Sequence, residues 1–206
     1  MQISPASLNA EEAYKLMTGI IVPRPIAWIT TQSSSGVVNV APFSCYTMVS
    51  STPPMIGVNI GRKAGLRKDT ANNINELGEF VVNVADEDLL PPLHESAIEY
   101  DADTSEVELL GLETLASESI SVPRLAAVPV SLECRLYSVI PFGQAGAEFY
   151  VGEVLTVHVR DEIIHNGKID TKKLRPICRL GGPNYAHLGD VITLLPIQKT
   201  PPVAAE

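Results

Sequence analysis

The sequence predicts a mainly β protein with a few helices, built as an antiparallel barrel or sandwich. Three observations carry this. Runs rich in Val, Ile, Thr and aromatic residues outnumber the helical stretches. Two long alternating runs, 128–138 and 148–160, follow each other closely, as the arms of a long antiparallel pair do. The strands also cluster without regular helical alternation, which argues against a doubly wound parallel sheet.

A short helix is expected first. Asn9 with Glu12 three residues on makes a capping-box pattern, Leu8 precedes it, and Gly19 can end the helix. Strands are expected at 25–32, 37–48 and 55–60, with the loop Ser33, Ser34, Ser35, Gly36 joining the first two as a hairpin. Asp69 is the expected N-cap of a second helix that carries Ala71, Ile74 and Leu77 on one face and stops at Gly78, followed at once by a strand over 80–84. Residues 86–118 hold many acids and neither Lys nor Arg, which reads as a solvated helix-and-loop excursion. No repeat or low-complexity linker divides the chain, so residues 1–195 are expected to form one domain and 196–206 a flexible tail.

The 206 residues carry 15 Lys and Arg against 24 Asp and Glu, a net charge of −9. Partners with phosphate backbones or anionic membranes need a cationic field, so neither nucleic acid nor a membrane is expected. The start of the chain has no basic leader before an apolar run, and the apolar stretch 20–31 is short and broken by Pro23 and Pro25, so a soluble, cytoplasmic protein is expected. Cys45, Cys134 and Cys178 are odd in number and widely spaced, which suggests reduced thiols rather than a disulfide framework or a zinc site. The four histidines, His94, His158, His165 and His187, show no metal-binding spacing, and no serine lies in G-x-S-x-G.

Nine of the fifteen basic residues fall in two segments: Arg62, Lys63, Arg67, Lys68, and then Lys168, Lys172, Lys173, Arg175, Arg179. The first runs into Asp69 and Thr70 at a helix start, where free N–H groups and the dipole favour a phosphate; a solvated charged turn fits the composition equally well. In the stretch from Asn39 to Tyr46, Pro42 removes a ladder donor and suits an edge or bulge, which leaves backbone groups free to meet a planar polar ring. Ser50, Ser51 and Thr52 supply three hydroxyls before Pro53, read as a turn that satisfies them locally unless a ligand claims them. Cys45 beside Ser44 offers a nucleophile, but a buried thiol packing as a small hydrophobe is the preferred reading.

Taken together, residues 23–31, 39–44, 49–54, 68–74, 78–83, 149–154 and 179–185 resemble, in order and spacing, the flavin reductase-like family with the FMN-binding split-barrel fold, including its flavoredoxin-type members. The resemblance covers most of the chain, from Pro23 to Tyr185. It implies an antiparallel split β-barrel, a homodimer with one FMN per subunit near the interface, and electrons from NADH or NADPH. It implies that Ser50, Ser51 and Thr52 with Arg62, Lys68 and Thr70 serve the phosphate and ribityl end. Asn39, Ala41, Pro42, Ser44 and Cys45 would then line the ring edge, and Asn59 would be a further contact. Tyr185 and Trp28 are stacking or lid candidates, against the ordinary tendency of strand aromatics to be core. Hydride passes from nicotinamide to flavin without a protein nucleophile, so no catalytic acid or base is assigned. The acceptor would be free flavin, a monooxygenase partner, ferric iron or another molecule, and the acidic excursion would shape its access. Two rivals remain: a flavoredoxin-like electron carrier with little NAD(P)H activity, and a flavin-free binding module.

Overall fold

A computed structural model describes residues 1–195, so the tail expected at 196–206 lies outside the described residues. After a 3-10 turn at Pro5–Ser7, helix α1 (Ala10–Ile20) opens on the expected capping box. The Glu12 N–H donates to Asn9 and the Asn9 N–H to the Glu12 carboxylate, both at 2.9 Å. The reciprocal pair satisfies two N–H groups the helix start would otherwise strand, together about 1 kcal/mol. The helix runs past Gly19 to Ile20, and none of its side chains is buried.

Strands β1 (Arg24–Pro25), β2 (Ala27–Gln32), β3 (Val38–Phe43), β4 (Tyr46–Ser51) and β5 (Pro54–Ile60) follow. The single run expected over 37–48 is thus two strands, broken at residues 44–45. Next come α2 (Asp69–Leu77) and β6 (Glu79–Val84). The N-cap of α2 is Lys68, not Asp69, which instead sits in the first turn where its charge faces the positive end of the dipole. Gly78 ends this helix at φ 75°, a left-handed conformation that glycine adopts without a Cβ penalty.

The acidic excursion comprises a 3-10 turn (Glu87–Leu89), α3 (Leu90–Glu95), α4 (Glu106–Leu109) and β7 (Thr114–Leu115), which pairs with β8 (Arg124–Leu125). The long hairpin β9 (Val130–Phe142) and β10 (Ala147–Val159) completes the main sheet. Smaller pieces close the described chain: β11 (Ile164–His165) with β12 (Lys168–Ile169), α5 (Thr171–Leu174), β13 (Cys178–Arg179) and β14 (Tyr185–Ala186). Strand β13 pairs with both β1 and β14.

The seven-stranded sheet is antiparallel throughout, in the order β3-β2-β6-β9-β10-β5-β4. Strands β3 and β4 are its opposite edges, yet only residues 44 and 45 separate them. A flat sheet of seven strands would hold its edges about 29 Å apart at about 4.8 Å per step, far beyond the reach of a two-residue link. The sheet must therefore curl until its edges meet at that corner. The edges do not pair with each other, so the barrel is not closed. Pro42 fits here because an edge strand has donors to spare.

Side chains alternate between two cores, as the two-residue period of a strand dictates. Ala27, Ile29, Phe43, Val58, Phe80 and Tyr150 fill the inside of the curl. Trp28, Val40, Leu93, Val107, Leu125 and Ile177 make a second core on the outer face, under the acidic excursion. The excursion is therefore not merely solvated: it buries Leu93 and Val107 against the sheet. Trp28 is completely buried and its indole N–H donates to Ser96 Oγ at 2.8 Å, so it is core and neither a stacking platform nor a lid. Gly152 is required by packing, since a Cβ there would lie 2.4 Å from the Phe80 ring.

Candidate functional site

A cleft of about 370 Å³ opens at the β3 edge, walled by β3, by residues 63–70 leading into α2, and by residues 96–106 of the excursion. Five of the expected residues line it: Asn39, Ala41, Pro42, Lys68 and Thr70. The sequence folds this way locally because the edge strand, the start of α2 and the excursion all converge on one buried amide. Asn39 donates through Nδ2 to both oxygens of Glu106 at 2.9 Å, and its Oδ1 accepts from Thr70 at 2.9 Å and from Thr31 at 3.3 Å. Glu106 also accepts from the Val40 N–H, and Asn73 donates to Thr31. Burial pushes the Glu106 carboxyl above the usual range, only partly offset by the N–H groups of Glu106 itself and Val40 and by Asn39. Asn39 and Thr70 thus contribute to the wall by holding three elements together, with their side chains already engaged.

The cations in the cleft differ in what holds them. Arg67 forms two bonds to Glu148, at 2.9 and 2.7 Å, and Tyr150 OH donates to the same carboxylate at 3.0 Å. The hydrogen bond from Arg67 is the main cause that holds the Glu148 carboxyl below its usual range, and Glu148 raises the Arg67 guanidinium. Lys63 is paired with Glu99 across the mouth. Lys68 has no ion pair among the described residues; its ammonium lies 5.9 Å from the centre of the Phe43 ring. Its side chain does not cap α2 either, so the first-turn N–H groups there lack a side-chain partner from the cap residue.

A smaller pocket of about 160 Å³ adjoins the cleft, sharing Pro42 and Ala97 with it, and takes in the expected Ser44 and Tyr185. Ser44 Oγ accepts from the buried Arg24 at 3.3 Å. The Tyr185 hydroxyl lies 3.0 Å from His94 Nδ1, and the Arg179 guanidinium lies 4.5 Å from the centre of its ring.

The remaining expected residues do not line either hollow. Arg62 turns toward the Gly146 carbonyl and Glu148, away from the cleft. Ser50, Ser51 and Thr52 sit at the far end of β4, about 17 Å along the strand from its start, and the Ser50 hydroxyl accepts from the Thr52 N–H as a local turn contact. Cys45 is exposed at the corner, contrary to the buried thiol expected, because the chain there turns between sheet edges. Asn59 lies on β5 with its N–H donated to the Cys45 carbonyl and its Oδ1 buried without a partner. Glu106, Glu99 and Tyr100 were missed by the sequence reasoning: Glu106 meets Asn39 across 67 residues, which leaves no local signal. Among the described residues no group of three or more His, Cys, Asp and Glu stands ready for a metal, and no helix is long and apolar enough to cross a membrane.

Residues 18–172 match the flavin reductase like domain family. Three solved structures place the chain among known folds. Nitrilotriacetate monooxygenase component B from Bacillus cereus is 39% identical, over 94% of this chain and 98% of that one, with a TM-score of 0.92. The 2-nitrobenzoate 2-nitroreductase NbaA of Pseudomonas fluorescens is 32% identical over the whole of both chains, with a TM-score of 0.84. A candidate flavin reductase with a split barrel domain from Shewanella frigidimarina covers 96% of this chain and all of its own at 22% identity and a TM-score of 0.83, a likeness of fold. With three quarters of its length inside the family match and such neighbours on both sides, the chain belongs to the flavin reductase-like family.

Proposed function

We propose that the curled sheet is a split barrel whose cleft holds FMN, and that the protein is an NAD(P)H-dependent oxidoreductase passing electrons from nicotinamide through the flavin to an acceptor. The observation that carries this reading is Lys68, a cation with no carboxylate partner among the described residues, at the uncapped start of α2 beside a cleft of about 370 Å³. That size falls within the ordinary range for cofactor pockets, roughly 300–1,000 Å³. The residues fit the group. The Lys68 ammonium and the first N–H groups of α2 would bind the phosphate, as helix starts do for anions. The outward backbone groups of edge strand β3 near Ala41 and Pro42 would meet the polar rim of the ring, and Ser44 and Tyr185 in the adjoining pocket would border the face open to a second substrate. FMN, when bound, supplies a ring that accepts a hydride and releases electrons singly or in pairs. The protein's part is to bind, orient and shield: Glu106 and Asn39 fix the wall, and residues 96–100 cover the mouth.

The homodimer and a monooxygenase partner are part of the same reading. Tyr14, Met17 and Ile20 on α1, Met48 and Val49 on β4, and Tyr137 on β9 leave apolar side chains exposed that a second copy would cover. The Bacillus cereus neighbour, a monooxygenase component, supports an acceptor of the monooxygenase type.

The test is an absorbance spectrum of the purified protein, then anaerobic NADH and, separately, NADPH. Flavin bands that bleach rapidly with one nucleotide support the reductase and name its donor. Bands that persist point to an electron carrier, and a colourless protein that takes up no FMN overturns the reading.

A further inference from the structure

A second hollow, of about 390 Å³, lies away from the flavin cleft between the start of β9, the end of β10 and residues 124–129. The sheet register locates it. Pro42, Trp28, Asn83, Ser131 and His158 stand side by side on β3, β2, β6, β9 and β10. Four strand steps of about 4.8 Å, about 19 Å measured along the curl, lead from one hollow to the other on one row of the sheet. They share no lining residue.

The lining is cationic and contains no carboxylate: its charged or chargeable members are Arg124, His158 and Arg160, with Ser131 beside them, its hydroxyl already donating to Asn83 at 3.0 Å. In a chain of net charge −9 this is unexpected. The carboxylates nearest to it are committed elsewhere. Glu133 is fully buried and accepts from the N–H groups of Glu118 and Ser119 and lies 2.6 Å from His158 Nε2. Asp86 stands 3.8 Å from Arg160, a loose pairing, while the opposite side of that guanidinium donates to the Ala127 carbonyl. Arg124 is different again. It is half-buried, it forms no ion pair or side-chain hydrogen bond among the described residues, and its Nε is buried without a partner. A guanidinium stripped of part of its water and given nothing in return is costly unless a ligand completes it.

We propose that this hollow is a second anion-binding site, in which Arg124 grips a compact carboxylate or phosphate group through two parallel N–H donors while Arg160 and His158 close its rim. The planar fork of arginine matches both groups, and a lysine would not reproduce it. The site stands independently of the flavin reading, because none of its residues borders the flavin cleft.

The experiment is a titration of the isotopically labelled protein, with and without saturating FMN, by inorganic phosphate and in a separate series by acetate, followed by nuclear magnetic resonance. The expected result is a saturable shift of the Arg124 Nε–H signal and of the Ser131 and Val159 amides at millimolar anion, unchanged by FMN. Arg124→Gln should weaken it at least tenfold, the loss of one charge-assisted contact, and Arg124→Lys should restore only part. Arg160→Gln, with a circular dichroism spectrum unchanged from the parent, gives a second reading should Arg124→Gln disturb the fold. Tighter binding of phosphate points to a phosphate ester as the natural ligand, and tighter binding of acetate to a carboxylate. Shifts confined to residues around Lys68, an affinity unaffected by Arg124→Gln, or no saturable shift with either anion would overturn the proposal.

Discussion

The two basic segments look alike in the sequence and behave differently in the fold. In the first, Arg62 and Arg67 converge on one carboxylate, Glu148, and this leaves Lys68 alone at the helix start. In the second, Arg175 pairs with Glu87 at 3.4 Å and Asp88 at 2.8 Å, Lys173 leans on the Glu162 carbonyl, and Lys168 and Lys172 face water. Apart from Arg179, which lies over the Tyr185 ring at the smaller pocket, the second is a solvated charged surface of modest energetic weight. In the first, both arginines are anchored on Glu148 and Lys63 pairs with Glu99, while Lys68 has no ion pair among the described residues. Local charge density therefore says little until each cation's partner is known.

Changes at four positions would sharpen or break that contrast. Glu148→Ala should have the largest effect, destabilising the protein by about 2–3 kcal/mol in a urea titration, since it leaves two guanidinium groups and the Tyr150 hydroxyl without their shared acceptor; this is less than for a fully buried pair because Arg67 can return to water. The same carboxylate gives a pH signature. Its folded pKa is lowered, so its contribution is complete above the unfolded carboxylate value, about 4.3, and is lost as pH falls through the folded one. Glu148→Gln should flatten the acid limb of a melting temperature against pH curve, and an unaltered limb would place the acid-sensitive group elsewhere.

Lys68→Ala should weaken FMN binding about tenfold with little change in stability, as removal of one charged hydrogen bond does; fluorescence titration with FMN measures it, and an unchanged affinity would remove Lys68 from the phosphate site. Arg175→Ala should lower stability only slightly and leave flavin affinity alone, since exposed pairs contribute little. Smallest of all, Lys172→Ala should alter neither quantity. A flavin affinity that fell with either of these last two would erase the distinction between the segments.

Much of the sheet was legible because period and composition speak locally. The long hairpin, the capping box at Asn9 and the helix before Gly78 each declare themselves within a few residues. What stayed hidden depends on distant partners. Nothing near Cys45 announces that the chain crosses from one sheet edge to the other there, so 37–48 reads as one strand and the thiol as buried. Nothing near residue 106 announces that its carboxylate will reach Asn39, so an acidic stretch reads as solvent-facing when part of it closes a core. The lining of the cleft takes in Asn39, Ala41, Pro42, Lys68 and Thr70, which residue type alone could single out. It leaves out Arg62, whose partner Glu148 is 86 positions away, and Ser50, Ser51 and Thr52, which lie at the far end of β4.

The two-residue corner at Ser44 and Cys45 makes the aperture of the curled sheet a matter of counting. Because it ties together edges that do not hydrogen-bond to each other, the distance between them at that end is set by chain length rather than by a ladder. One inserted residue would slacken the tether while β4 kept its pairing with β5, so the edges could part. Relatives can therefore be expected to keep this link at a constant length, as a gauge on which the width of the opening is marked.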